Sequence, residues 1–294
     1  MIGQIPLLEK IQTQIEDDVF PKFSIFVGAK GMGKKTLMRE ITTYMPSYEV
    51  HELADVKIDT IRGMIDEAVT KASSGAKIIY IIPDSENMSE PAKNSILKIT
   101  EEPPKGAYFL MSVSDTDYLL DTIRNRAAIF YMRPYSVDEK QKYLDSLKSS
   151  INDSERDLIL NVSYSLYDIE LLLKSSPGEL EKYATKLIDS FEKSTPSKLL
   201  SSIKDIAFKE DAEGYNLILF WRVCLLILGD RIKKGSKDDL MYSRLVSKTI
   251  EKMGETRFNS VSKEHTFDMW LLDCRKIVRK WKDGDKRSQT ADTQ

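Results

Sequence analysis

The chain has 294 residues, 41% hydrophobic and 31% charged, enough apolar material for a packed core in one large domain or several smaller ones. Its 44 Lys and Arg against 46 Asp and Glu leave a formal charge of −2, which excludes a global basic field devoted to gripping nucleic-acid phosphates. Cysteine is confined to Cys224 and Cys274 and histidine to His51 and His265, which excludes the ligand spacing of a structural zinc site and leaves two reduced, buried thiols as the expectation.

The N-terminal segment has no basic stretch followed by an apolar run. The longest apolar stretch, Leu217–Leu228, contains Trp221 and Arg222 and falls short of the roughly 18 apolar residues of a membrane span. A soluble, cytoplasmic protein with no membrane partner is expected. Ser24–Val27 is a short apolar run that opens onto glycines, as a buried strand before a tight loop would. A helix is predicted next, at Leu37–Thr43. Ile58, Ile61, Ile65 and Val69 recur at helical spacing over Ile58–Thr70. Lys77–Ile82 is a continuous β-branched run, the mark of a strand buried on both faces. Ser89 is a candidate N-cap with Pro91 in the first turn, and the helix it opens must end before Pro103–Pro104. Ala107–Val113 and Ala127–Met132 read as two more strands. Strands alternating with helices imply a parallel α/β sheet with crossover helices.

From Pro134 onward no strand signal appears. Helices are predicted at Val137–Ser149, Ser154–Leu160, Leu166–Lys174 and Gly178–Lys193, with a break at Ser194–Pro196–Ser197. Residues 198–281 read as helical again, and the polar stretch after them as a disordered tail.

The sharpest local signal is Gly28-Ala-Lys-Gly31-Met-Gly33-Lys34-Lys35-Thr36, between a predicted strand and a predicted helix. This is the context of a phosphate loop. Glycines let backbone N–H groups turn towards an anion, the helix N-terminus adds its dipole, and Lys34 would reach the terminal phosphates of ATP or ADP. The bland alternative is a glycine-rich turn with chance lysines. The pattern requires a hydroxyl directly after the lysine to hold Mg²⁺, and this chain has Lys35 there. Thr36 comes one residue late, a rotation of about 100° on a helix. An ammonium at Lys35 could still meet phosphate charge.

Hydrolysis by such a site also needs carboxylates at the end of a neighbouring strand. The Lys77–Ile82 strand runs into Pro83-Asp84-Ser85-Glu86, so the first acid is replaced by Pro83 and the second by the short Asp84. Asp84 and Glu86 read more simply as a solvated turn. Nucleotide binding at a degraded site is therefore the expectation, with metal-assisted hydrolysis doubtful.

The stretch Lys77–Ser89, followed by Ala92-Lys-Asn94-Ser-Ile-Leu97-Lys98-Ile-Thr-Glu101-Glu102-Pro103-Pro104, resembles the AAA+ subunits of bacterial DNA polymerase III clamp loaders. Met1-Ile-Gly3-Gln4 resembles the family's opening, Ile58–Arg62 its "IR" helix, Phe109–Asp115 its sensor-1 strand, and Thr122-Ile-Arg-Asn-Arg126-Ala127 its "T-I-x-SRC" motif. The resemblance is strong over residues 1–134 and rests mainly on helical layout beyond them. It implies that Arg126 is an arginine finger reaching ATP on a neighbouring subunit. A plain surface arginine is the alternative, and Arg124 the competing candidate. Tyr167 stands where the family's sensor-2 arginine would be.

A degraded nucleotide site with a retained finger resembles the delta-prime class more than the tau/gamma motors, and the zinc module of the family is missing. The resemblance implies an AAA+ P-loop domain at 1–134, a helical lid at 135–193, a helical collar at 194–281 and a tail at 282–294. Its implied partners are tau/gamma-type and delta-type subunits, the sliding clamp and primed DNA. The alternatives are a catalytically active clamp-loader ATPase and, more remotely, a P-loop phosphotransferase, for which no acceptor-site base is visible.

Overall fold

The computed structural model describes residues 3–147, 149–191, 215–256 and 262–291. The chain forms two compact units, Met1–Leu147 with Tyr164–Tyr167, and Lys148–Ser163 with Asp168–Gln294.

The first unit is built on a five-stranded sheet: β1 Phe23–Val27, β2 Glu49–Glu52, β3 Ile78–Ile82, β4 Ala107–Val113 and β5 Ala128–Tyr131. The order is β2-β3-β4-β1-β5 and every neighbouring pair is parallel. Crossovers are supplied by α2 Lys34–Thr43, α3 Ile58–Ser73, and the pair α4 Glu90–Ser95 and α5 Leu97–Glu101. The short α6 Asp121–Arg124 leads into β5, and α1 Ile5–Glu16 precedes β1.

The three inner strands bury every residue, because each face of the sheet meets its own core. Ile25, Tyr80, Ile82, Phe109 and Met111 point to one face, where Ile61, Met64, Ile99 and Ile123 pack on them. Phe26, Ile79, Ile81 and Leu110 point to the other, against Leu37, Met38 and Ile41 of α2 and Ile11 of α1. That alternation is the period-two geometry of a strand, read twice because both faces are covered.

The chain start is fastened to the exit of β5. The Gln4 side-chain amide donates to the Arg133 carbonyl at 2.6 Å and accepts from the Arg133 N–H at 3.1 Å, as a strand neighbour would. Gly3, at φ +71°, leaves room for the Tyr135 ring, which a Cβ there would meet at 2.7 Å. The first unit then continues into α7 Val137–Ser146, opened by a reciprocal capping box between Ser136 and Glu139.

In the second unit, α8 Asp153–Val162 opens with an equivalent box between Asn152 and Glu155. It is followed by α9 Leu166–Lys174, whose first two residues lie in the first unit, and α10 Pro177–Ser190. Three long helices complete it: α11 Tyr215–Lys233, α12 Asp239–Glu255 and α13 Lys263–Ala291. Its core is aromatic. Trp270 lies edge-on to Phe191, Phe220 and Trp221, at centroid distances of 5.8–6.3 Å. The Trp270 indole N–H donates to Thr249 Oγ1 at 3.0 Å, which satisfies a buried donor. Asp168 is wholly buried and ion-paired to Arg222 at 2.9 Å, while Cys224 and Cys274 are free and buried. Within Leu217–Leu228, the side chains of Leu217, Leu219, Phe220, Trp221, Val223, Cys224 and Leu228 are buried.

The structure corrects four expectations about elements. Helix α2 begins at Lys34, three residues before the first apolar position, directly after its N-cap Gly33. The single helix expected before Pro103 is two, separated at Ile96, whose side chain is fully buried. Strand β2 and helix α1 were not foreseen. The tail expected to be disordered from 282 is a continuation of α13 to Ala291, in a stretch without proline that includes good helix formers. The predicted break at Ser194–Pro196 lies outside the described residues. Among the described residues, no helix is long and apolar enough to cross a membrane.

Candidate phosphate-binding site

The site lies at the carboxyl ends of the strands, the usual place for a ligand in an open parallel sheet. Strand β1 ends at Val27 and the chain turns at once, with the Gly28 N–H donating to the Val113 carbonyl at the end of β4. Gly31 and Gly33 take φ values of +79° and +82°, left-handed backbone that residues with a Cβ adopt only at a cost. Gly33 then caps α2 without a side-chain partner for the helix N–H groups. The loop is pinned from below by Tyr135, whose hydroxyl donates to the Met32 carbonyl at 2.8 Å. Burial pushes that phenol up to about 12, so it remains a donor.

The outer side of the loop is covered by Ser165–Tyr167. A Cβ at Gly31 would fall 2.5 Å from Ser165 Oγ and closer still to the Tyr167 Cβ. The Lys30 ammonium stands 5.6 Å from the Tyr167 ring centroid, in cation–π range. Tyr167, in the place where a sensor-2 arginine was looked for, therefore packs on the loop through its ring and Cβ.

Lys34 is buried and folds back over the loop, donating to the Gly28 carbonyl at 2.7 Å and the Ala29 carbonyl at 3.3 Å. Desolvation lowers its pKa, against the opposing field of Glu86 and then Asp84. An arriving phosphate would replace those carbonyl contacts with a charged one. Lys35 turns the other way. Its ammonium is 2.5 Å from Glu52 Oε1 on β2, and Arg39 grips the same carboxylate through two bonds of 2.7 and 2.9 Å. The Arg39 hydrogen bond, followed by Lys35, holds the Glu52 carboxyl below its ordinary range. Thr36 is exposed on α2.

At the end of β3, Pro83 is buried and Asp84 is exposed, with φ +49°. That left-handed backbone is held by the Asp84 N–H, which donates to Ser112 Oγ on β4 at 3.2 Å. Glu86 departs from the solvated turn expected of it. It sits in the short 3-10 turn Ser85–Asn87, its Oε2 is buried without a hydrogen-bond partner, and its charge is the main one that stabilises protonated Lys34. Sequence reasoning passed over it because it lies two residues beyond the position where a second acid is sought.

These residues fit a nucleotide phosphate: a glycine cradle, a helix N-terminus and a buried lysine converge on one loop. They do not offer the usual divalent-cation set, because Lys35 replaces the hydroxyl and is bound to Glu52, and Pro83 replaces the strand-end acid.

Arg124 and Arg126 lie at the end of α6, on the surface of the first unit. Arg124 pairs with Asp121 of its own helix at 2.6 Å. Arg126 instead reaches Glu101 at the end of α5, with 2.9 Å between its Nη2 and Glu101 Oε1. The structure does not bring Arg126 to Lys34 by any direct contact.

Residues 46–136 match the family described as DNA polymerase III, delta subunit. A DNA polymerase III subunit gamma from Buchnera aphidicola is 24% identical over 187 residues, which cover 55% of this chain and 48% of that protein. A subunit delta-prime from Yersinia pestis is 30% identical over 79 residues, covering 27% and 23%. A second delta-prime, from Buchnera aphidicola, is 23% identical over 223 residues, covering 74% and 62%. The match thus spans less than two thirds of the length of each of these relatives. Among solved structures, a DNA polymerase III gamma subunit-related protein from Thermotoga maritima aligns with a TM-score of 0.49 and 19% identity, over 92% of this chain and 98% of that one. Over these stretches the chain is similar in sequence to subunits of DNA polymerase III.

Proposed function

We propose that this chain is a delta-prime-like subunit of a replicative clamp loader. It takes part in the loader ring with tau/gamma-type and delta-type subunits. It supplies Arg126 in trans to ATP held by a neighbour, and the ring places a sliding clamp on primed DNA. Its own phosphate loop holds ATP or ADP without turning it over. When bound, the nucleotide would supply the terminal phosphates that Lys34 and the loop N–H groups are arranged to meet.

The observation that carries the reading is the engagement of Lys35 by Glu52 together with Pro83 at the end of β3. Two positions that a hydrolysing site depends on are given to other roles, while an exposed arginine remains available on a different surface. Guanidinium stabilisation from outside is worth orders of magnitude in phosphoryl transfer. The collar at 194–281, beyond a lid at 135–193, is proposed as the ring-forming portion, with the half-buried Leu225, Leu226 and Ile227 as candidate contact residues.

One observation favours a second reading, an active ATPase. Glu86 holds an unpartnered buried carboxylate oxygen in the field of Lys34, where it could orient a water. Hydrolysis decides between the two. ATP turnover is measured for the chain alone and with its cognate motor subunits and primed DNA, for wild type, Lys34→Ala and Arg126→Ala. An inactive lone chain, together with a mixture insensitive to Lys34→Ala and crippled by Arg126→Ala, is expected. Turnover by the lone chain that is abolished by Lys34→Ala and by Glu86→Gln would establish the motor instead.

A further inference from the structure

We propose that Glu101 is the positioning residue of Arg126, a carboxylate that holds the guanidinium aimed outward until a phosphate engages it. The inference rests on the reading of Arg126 as a finger. Both partners are mounted on fixed ground. Glu101 ends α5, whose Ile99 and Thr100 are buried, and Arg126 follows α6, whose Ile123 is fully buried in the same core as Ile99. The backbone beyond α6 is itself tied, with the Arg126 and Ala127 N–H groups both donating to the Ile123 carbonyl at 3.1 and 3.0 Å.

Among the described residues, the guanidinium makes two polar contacts. Nη2 meets Glu101 Oε1 at 2.9 Å and Nη1 meets the Thr122 carbonyl at 3.4 Å. An arginine carries five N–H donors in a rigid fork, so donors remain for an anion while Glu101 stays bound. Arg124 has no such arrangement, since its acid lies three residues back on the same short helix.

Exposure sets the strength of the hold. Arg126 and Glu101 are 42% and 47% exposed, so water and salt screen the pair. A screened pair of this kind orders a long side chain without trapping it. Its loss is expected to lower the neighbour's turnover by up to about fivefold, equivalent to about 1 kcal/mol. A far larger drop would belong to loss of the guanidinium itself.

The test uses the assembled loader with its motor subunits, sliding clamp, primed DNA and ATP. It compares wild type, Glu101→Ala, Glu101→Gln, Arg126→Ala and the Glu101→Ala/Arg126→Ala double variant. Glu101→Ala is expected to lower kcat about three- to fivefold at low salt, with the KM for ATP unchanged. Glu101→Gln, which keeps an acceptor oxygen, should recover part of the loss. The ratio of wild type to Glu101→Ala should shrink towards one as salt is raised. In the Arg126→Ala background, Glu101→Ala should change nothing.

A crippled Arg126→Ala loader alongside a fully active Glu101→Ala loader would overturn the role of Glu101 and leave the finger standing. Full activity of Arg126→Ala would overturn both. Equal losses from Glu101→Ala with and without Arg126 would make Glu101 a mere support of α5. Should Glu101→Ala melt early, Glu101→Asp, which withdraws the carboxylate by one methylene, carries the same comparison.

Discussion

Gly31→Ala would test whether the Ser165–Tyr167 segment is seated on the phosphate loop. Two costs add at this position. Alanine at φ +79° forfeits about 1–2 kcal/mol against glycine. Its Cβ would also stand 2.5 Å from Ser165 Oγ and against the Tyr167 Cβ, an atom fixed directly to the backbone that no rotamer change can remove. Overpacking of this kind costs about 1–3 kcal/mol. The sum is about 2–5 kcal/mol, unless the segment lifts off the loop and gives up its own contacts instead.

Hydrogen–deuterium exchange read by mass spectrometry separates the two responses. The expected result is faster exchange at residues 164–168 and in the loop at 28–34, with a lower unfolding free energy in urea. Gly63→Ala is the control, because Gly63 is an exposed position within α3 where an added Cβ meets nothing within 4 Å. It should stabilise by about 0.5–1 kcal/mol through helix propensity alone. Unchanged exchange at 164–168 in Gly31→Ala, with stability equal to wild type, would refute the packing of this segment on the loop.

Three further outcomes follow from side chains in both units. The Arg133 guanidinium, followed by the Ser136 N–H, holds the Glu139 carboxyl at about 2 instead of its ordinary 4.5. A depressed carboxylate stabilises the fold above the unfolded value and loses that contribution as pH falls from about 4.5 to about 2. The stability difference between wild type and Glu139→Gln, followed by urea titration, should therefore shrink across that window. Thr249→Val leaves the buried Trp270 N–H without its acceptor and should cost about 1–3 kcal/mol, visible as a lower midpoint by tryptophan fluorescence. Arg222→Met removes the charged partner of the wholly buried Asp168 carboxylate and should cost about 3–5 kcal/mol. Pairing it with Asp168→Leu should recover much of that loss, and no recovery would count against the ion pair as the cause.

The elements legible in the sequence were those whose burial is one-sided or complete. The run Ile78–Ile82 could be read as an inner strand because both faces are covered and no polar residue interrupts it. Glu49–Glu52 could not, since β2 is an edge strand with half-exposed or exposed side chains, and its order comes from pairing with β3. The same blindness hid the partner of Lys35. That Glu52 stands beside α2 follows from where β2 is laid in the sheet, which no local pattern encodes. The glycines of the loop, the misplaced Thr36 and the proline at 83 were all readable, because each departs from a pattern of fixed spacing. Glu86 was not readable, because the tight turn that buries it depends on the left-handed backbone at Asp84 and its bond to Ser112 on another strand.

The bond pair between Gln4 and Arg133 has a consequence for how the α/β unit can be handled as a piece of polypeptide. It brings the entry and the exit of the sheet-forming segment to within a hydrogen bond of each other, at 2.6 and 3.1 Å. A segment whose ends already meet can be joined by a short linker and reopened elsewhere with little loop-closure cost. The exposed turn at Ser74–Gly75, between α3 and β3, offers one such opening. A circular permutant cut there should keep the phosphate loop, with β3 instead of α1 as its first element in the chain.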